Sequence, residues 1–144
     1  MKILITGACG HIGSHFVENL YKIKKVKKAI LVDNLKSNRF YSLFNINHKN
    51  KVEFFLKDLN DPKSLNQFNN INIVFHLASM TNAAKSFGIE KEMYSNNLNS
   101  FNTVVKFCEK TGAKLVHLSS TSVYVKQTEL VDETCEKKYL KPQS

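Results

Sequence analysis

Five short runs rich in Ile, Val, Leu and Phe punctuate the chain, at Lys2–Thr6, Ala29–Val32, Val52–Leu56, Ile73–Leu77 and Lys114–Ser119. Apolar residues fall on both alternating faces of these runs, the pattern of parallel strands buried between two helix layers. Longer stretches of helical spacing lie between them. Ile12–Ile23 carries Ile12, Phe16, Leu20 and Ile23 three to four residues apart. Asp61–Phe68 opens on Asp61-Pro62, an N-cap acceptor followed by a proline at the first helical position. Glu90–Lys110 is the longest, with Leu98, Phe101, Val104, Val105 and Cys108 on one side and a stop signal at Thr111-Gly112. This strand–helix alternation predicts a doubly wound α/β sheet of about five parallel strands joined by right-handed crossovers. Asn34–Asn50 breaks the pattern: it is polar, and its apolar cluster at Phe40, Tyr41, Leu43 and Phe44 suits a short helix.

The 144 residues fit one domain, residues 1–144. No apolar run approaches the ~20 residues that span a bilayer, and Ile3, Leu4 and Ile5 are too few for a signal peptide core. The expectation is a cytoplasmic protein that does not enter membranes. Cys9, Cys108 and Cys135 are odd in number and widely spaced, so the pattern points to reduced thiols, with neither a metal site nor a disulfide framework. The net charge of +9 includes a dense run at Lys22, Lys24, Lys25, Lys27 and Lys28. Apart from Tyr21 no aromatic is interleaved with it, so a solvated basic face is favoured over nucleic-acid binding. A positive field still draws anionic ligands such as dinucleotides.

The candidate chemistry begins at Thr6-Gly7-Ala8-Cys9-Gly10-His11-Ile12-Gly13, directly after the first strand and leading into a helix. Gly7 permits a tight turn, Gly10 lets backbone N–H groups approach phosphates, and Gly13 allows close packing. The helix start near His11 then turns free N–H groups and its positive dipole end toward a pyrophosphate. The second run ends at Asp33, twenty positions after Gly13. A carboxylate there accepts hydrogen bonds from ribose hydroxyls and repels a 2′-phosphate, which favours NAD over NADP. Arg39, downstream, is the one residue that could accept such a phosphate.

The other strand ends are polar as well, and ligands of such sheets sit outside the carboxyl ends of strands. Lys57-Asp58-Leu59 closes the third, where a carboxylate and a backbone N–H suit adenine. His76-Leu77-Ala78-Ser79 closes the fourth, with small residues over which a dinucleotide could lie; His76 itself reads as a structural histidine. Leu118-Ser119-Ser120-Thr121-Ser122-Val123-Tyr124 closes the fifth with hydroxyls for a substrate oxygen.

Taken in order, Thr6–Gly13, Asp33-Asn34-Leu35, Asp58-Leu59, His76-Leu77-Ala78, Asn96-Asn97 and Ser119-Ser120…Val123-Tyr124 resemble the extended short-chain dehydrogenases/reductases of the NAD-dependent epimerase/dehydratase type. The likeness is greatest to the sugar-nucleotide epimerases of the UDP-glucose 4-epimerase kind, and it covers essentially the whole chain. It implies a Rossmann-type fold, with NAD as cofactor, NADP less suited, and a nucleotide-sugar substrate. It implies that Gly7, Gly10, Gly13, His11 and Ile12 serve the phosphates, and that Asp33, Asn34, Leu35, Lys36, Ser37 and Asn38 line the adenosine ribose. Asp58 and Leu59 would meet adenine; Leu77, Ala78, Ser79, Met80 and Thr81 would pass beneath the cofactor; Asn97 would fix its nicotinamide end. The active-site hydroxyl would be Ser120, or Thr121 if the turn is shifted by one residue.

The same resemblance implies a Tyr with a Lys four positions later. A free tyrosine titrates near ~10, and a neighbouring ammonium would bring it into use as a base. Tyr124 is followed by Thr128 and Tyr139 by Gln143, so no such pair follows the fifth strand, and Tyr21-x-x-x-Lys25 lies in the first crossover, far from that place in the pattern. Val125 also stands where most relatives have glycine. The expectation is a chain that stops before the catalytic Tyr-Lys helix and the substrate lobe, and is inactive alone. A bare fifth strand would then promote self-association or a homodimer. The alternative is a non-catalytic dinucleotide-binding sensor.

Overall fold

The structure, a computed structural model, describes residues 1–44, 46, 51–81 and 88–119. Its elements are β1 (Lys2–Thr6), α1 (His11–Asn19), β2 (Lys28–Asp33), β3 (Val52–Leu56), β4 (Ile73–His76), α2 (Glu90–Thr111) and β5 (Lys114–His117). Short 3-10 turns occupy Leu20–Lys22 and Phe40–Leu43. The sheet runs β3-β2-β1-β4-β5, and every neighbouring pair is parallel. The order reverses at β1, whose neighbours β2 and β4 leave in opposite directions. That divergence opens a crevice at the carboxyl ends of β1 and β4, where sheets of this Rossmann type take ligands.

Strand alternation sorts the core into two layers. Leu4, Ile30, Val32 and Val74 point to one face, under Val104, Phe107 and Cys108 of α2 and Leu59, Leu65, Phe68 and Ile71. Ile3, Ile5, Ala29 and Leu31 point to the other, under Val17 and Leu20. Ile3, Leu4 and Ile5 are fully buried, as a central strand covered on both sides must be. β3 and β5 are the edges and are far less covered; Val116 and Leu118 at the β5 edge are exposed.

Three elements depart from the sequence pattern. Residues 61–68 form consecutive turns closed by i→i+3 bonds (Ser64 N to Asp61 O, Asn66 N to Lys63 O, Phe68 N to Leu65 O) instead of a helix. Asp61 does accept from Lys63 N as a cap would. The segment is nonetheless too short to recover the cost of helix nucleation. In α1 the buried residues are Gly13 and Val17, followed by Leu20, whereas Ile12 is 59 % exposed. Contact of Gly13 with the preceding loop fixes the helix rotation and turns Ile12 outward. In α2 the buried stripe is Ser100, Thr103, Val104, Phe107 and Cys108, and Leu98 lies outside it. Gly112 ends that helix in the left-handed region at φ 72°, its N–H reaching Cys108 O.

Candidate functional site

The loop after β1 is built by the absence of side chains. Gly7 has φ 66°, and a Cβ there would lie 2.6 Å from Ala78 N, inside the segment that follows β4. A Cβ on Gly13 would collide with Gly7 O and with Ala8 Cα. The first turn of α1 therefore rests directly on the loop. Gly10 N donates to Gly7 O at 3.0 Å, and Gly10, in extended geometry, caps α1 without a side-chain hydrogen bond. The N–H groups of His11, Ile12 and Gly13 have no acceptor among the described residues. They project at the positive end of the helix dipole, the arrangement that holds a phosphate.

Asp33, at the end of β2, fastens this loop. One carboxylate oxygen accepts from Cys9 N at 2.9 Å and the other from Leu35 N at 2.8 Å, with the side chain buried. Ala8 N also donates to Val32 O. Each carboxylate oxygen retains a second lone pair for an outside donor. The downstream loop turns through Leu35 and Asn38, both at positive φ, and Asn34 Oδ1 accepts from Lys36 N. Lys36 pairs with Asp58 at 3.3 Å, a half-exposed contact of small energy. Burial works against the Asp58 carboxylate. The Asn60 N–H and amide, together with Lys36, outweigh it and hold its pKa below the ordinary value. Asn60 also reaches Asn96 of α2 at 2.8 Å. Leu59 packs its side chain into the core.

Across the crevice, Thr6 and His76 form the floor. Thr6 Oγ1 accepts from Leu77 N and Ala78 N at 3.2 and 3.3 Å. Its one hydrogen is then left for His76 Nδ1 at 2.8 Å. That fixes the histidine as the neutral tautomer protonated on Nε2. Burial, and secondarily the stacked His117 ring 5.3 Å away, push the His76 pKa down to about 4. Beyond the floor, Asn97 of α2 holds Met80 from both sides, accepting from its N–H at 2.8 Å and donating to its carbonyl at 3.0 Å. Ser79 and Thr81 flank that clamp and are exposed.

The contacts above bring the glycine loop together with Asp33 through Cys9 and with Leu77 and Ala78 through Thr6 and Gly7, while Asp58 joins Lys36 and Asn97 holds Met80. Ser37 is exposed. Ser120 and Thr121 lie outside the described residues. Three features escaped the sequence reading: the Thr6–His76 floor, the Asn60–Asn96 bridge, and a contact between Arg39 and His11. Each joins residues far apart in the chain, and none belongs to a recognisable spacing. Unpaired amides over a glycine-bracketed loop, with a carboxylate anchored one strand away, fit a dinucleotide.

Residues 3–144 match the family model described as the NAD dependent epimerase/dehydratase family. The chain belongs to that family. Expecting NAD as the cofactor agrees with this description. A bifunctional protein GAL10 of Candida maltosa is 33 % identical across 91 % of this chain and 89 % of its own. A UDP-glucose 4-epimerase of Haemophilus influenzae is 31 % identical across 86 % of this chain but only 38 % of its own. Among solved structures, the UDP-Glc/GlcNAc 4-epimerase of Campylobacter jejuni superposes with a TM-score of 0.84 at 26 % identity, over 99 % of this chain and 43 % of that one. A UDP-glucose 4-epimerase of Stenotrophomonas maltophila, solved with bound NAD, gives 0.80 at 26 % identity over 93 % and 41 %. Apart from the Candida sequence, the chain spans between 17 % and 47 % of the curated relatives' length. No helix among the described residues is long and apolar enough to cross a membrane.

Proposed function

We propose that residues 1–144 form a single NAD(H)-binding domain, the cofactor portion of a nucleotide-sugar epimerase or dehydratase. The observation that carries this is the set of unpartnered N–H groups at His11, Ile12 and Gly13 above the glycine loop. In this reading those amides hold the pyrophosphate, and the free lone pairs of Asp33 take the adenosine ribose hydroxyls with help from Asn34, Leu35, Lys36, Ser37 and Asn38. Asp58 and the backbone of Leu59 receive adenine. Leu77 to Thr81 support the cofactor from below, and Asn97 fixes its nicotinamide end by immobilising Met80. The chemistry that bound NAD would supply in the whole enzyme is transient acceptance of hydride from a hexose carbon. Ser120, with Thr121 as the one-residue-shifted alternative, donates a hydrogen bond to the reacting sugar oxygen.

Within these 144 residues no Tyr-x-x-x-Lys follows the fifth strand. Taken alone they bind the cofactor and turn over nothing, and the exposed β5 edge favours a dimer. Calorimetric titration with NAD tests the first statement. Wild type should bind, Asp33→Ala and Gly10→Val should not, and an unaltered affinity in both variants would refute the assignment. Epimerisation of a UDP-hexose by the isolated 144 residues would refute the second. Sedimentation as a strict monomer at high concentration would refute the third.

A further inference from the structure

The cleft at the head of α1 carries a cation that the roles above leave unused. Arg39 is exposed at the start of the 3-10 turn Phe40–Leu43, and its Nη1 lies 2.9 Å from Nδ1 of His11, the first residue of α1. A guanidinium only donates, so the imidazole nitrogen accepts. Three residues on, Ser42 Oγ donates to Cys9 O at 3.2 Å, fastening the same turn to the glycine loop. Arg39 therefore lies beside the first residue of α1, on a turn tied to the glycine loop.

Its surroundings are electrostatically incomplete. The ion pairs among the described residues are Lys28–Glu53 and Lys36–Asp58; neither includes Arg39. The guanidinium's other N–H groups have no acceptor among the described residues. The guanidinium sits beside the first residue of α1, at the positive end of the helix dipole. An anion placed there resolves the repulsion and engages the planar fork in the bidentate geometry that phosphates accept.

We propose that Arg39 is a third component of the phosphate site, pairing with the pyrophosphate of a nucleoside diphosphate alongside the His11, Ile12 and Gly13 amides. This rests on the dinucleotide reading above. His11 holds the guanidinium until the ligand arrives. The ligand moiety that Arg39 reads is the pair of linked phosphates, and the nucleoside is read elsewhere.

The test is calorimetric titration of the full 144-residue chain, as wild type, Arg39→Ala and Arg39→Lys, with NAD, ADP, adenosine and NADP. Arg39→Ala should bind NAD and ADP about tenfold more weakly, the loss expected for one charge-assisted contact. Adenosine should be unaffected, the salt dependence should flatten, and Arg39→Lys should fall between the other two. Unchanged NAD and ADP affinity in Arg39→Ala would overturn the proposal. Selective loss of NADP alone would also overturn it, by assigning the guanidinium to the 2′-phosphate. Wild type that binds neither NAD nor ADP would instead refute the underlying dinucleotide reading, and the proposal with it.

Discussion

Acid should loosen this fold through His76. The ring is 2 % exposed, its Nδ1 takes the only hydrogen of Thr6 Oγ1, and its pKa is about 4 against an ordinary 6.5. In the unfolded chain the same residue picks up a proton as the pH drops below 6.5, while the folded chain resists until about 4. Between those values the unfolded state binds more protons, so stability falls as pH falls; it is fully present above 6.5 and fully lost below 4. The gap corresponds to about 3 kcal/mol in total, of which about 2 kcal/mol is lost between pH 7 and pH 5. Urea unfolding at both pH values measures it, with His76→Asn as the comparison. The asparagine amide oxygen can still accept from Thr6, but the side chain does not titrate. Wild type should lose about 2 kcal/mol more than the variant over that interval. Parallel losses would show that His76 is not held neutral by its burial, and the tautomer assigned through Thr6 would fall with it.

Gly7 and Gly112 share a left-handed backbone, but a Cβ would meet Ala78 N at Gly7 and open space at Gly112. Gly112→Ala should cost about 1 kcal/mol and Gly7→Ala about 3 kcal/mol by urea unfolding; equal costs would refute the close approach of loop and strand. Burial, reinforced by the Asp33 charge and opposed by a hydrogen bond from Ser42, pushes the Cys9 thiol up to about 12. Iodoacetamide at neutral pH should therefore leave Cys9 unmodified in the folded chain, and rapid labelling seen by mass spectrometry would contradict this. Asn97→Ala removes both bonds to Met80, so the Met80 amide should exchange with deuterium about tenfold faster, equivalent to about 1.4 kcal/mol; unchanged exchange would show that the clamp does not hold.

The strands were legible because a central parallel strand must be apolar on both faces, and Ile3, Leu4 and Ile5 can be little else. The glycine loop and Asp33 were legible because backbone proximity and a fixed spacing demand them. Helix detail was less so. Residues 61–68 offer a good cap and a proline, but local signals do not report that the segment is too short to sustain a helix. Leu98 fits a helical apolar stripe, yet α2 presents Ser100 and Thr103 to the sheet instead. Small residues let a helix lie close, and composition alone does not reveal that. The polar floor of Thr6 and His76 was the least legible part, since it joins residues 70 apart through a hydroxyl with no motif of its own.

That separation also bears on how the chain is made. β1 occupies the middle of the sheet, but its neighbour β4 is not translated until some seventy residues later. At ordinary ribosomal speeds this leaves about 4–14 s in which a nascent Ile-Leu-Ile strand has at best one flank covered. The central strand of the sheet is thus made well before its second neighbour, so a chaperone that captures it during elongation would be protecting the sheet's future centre.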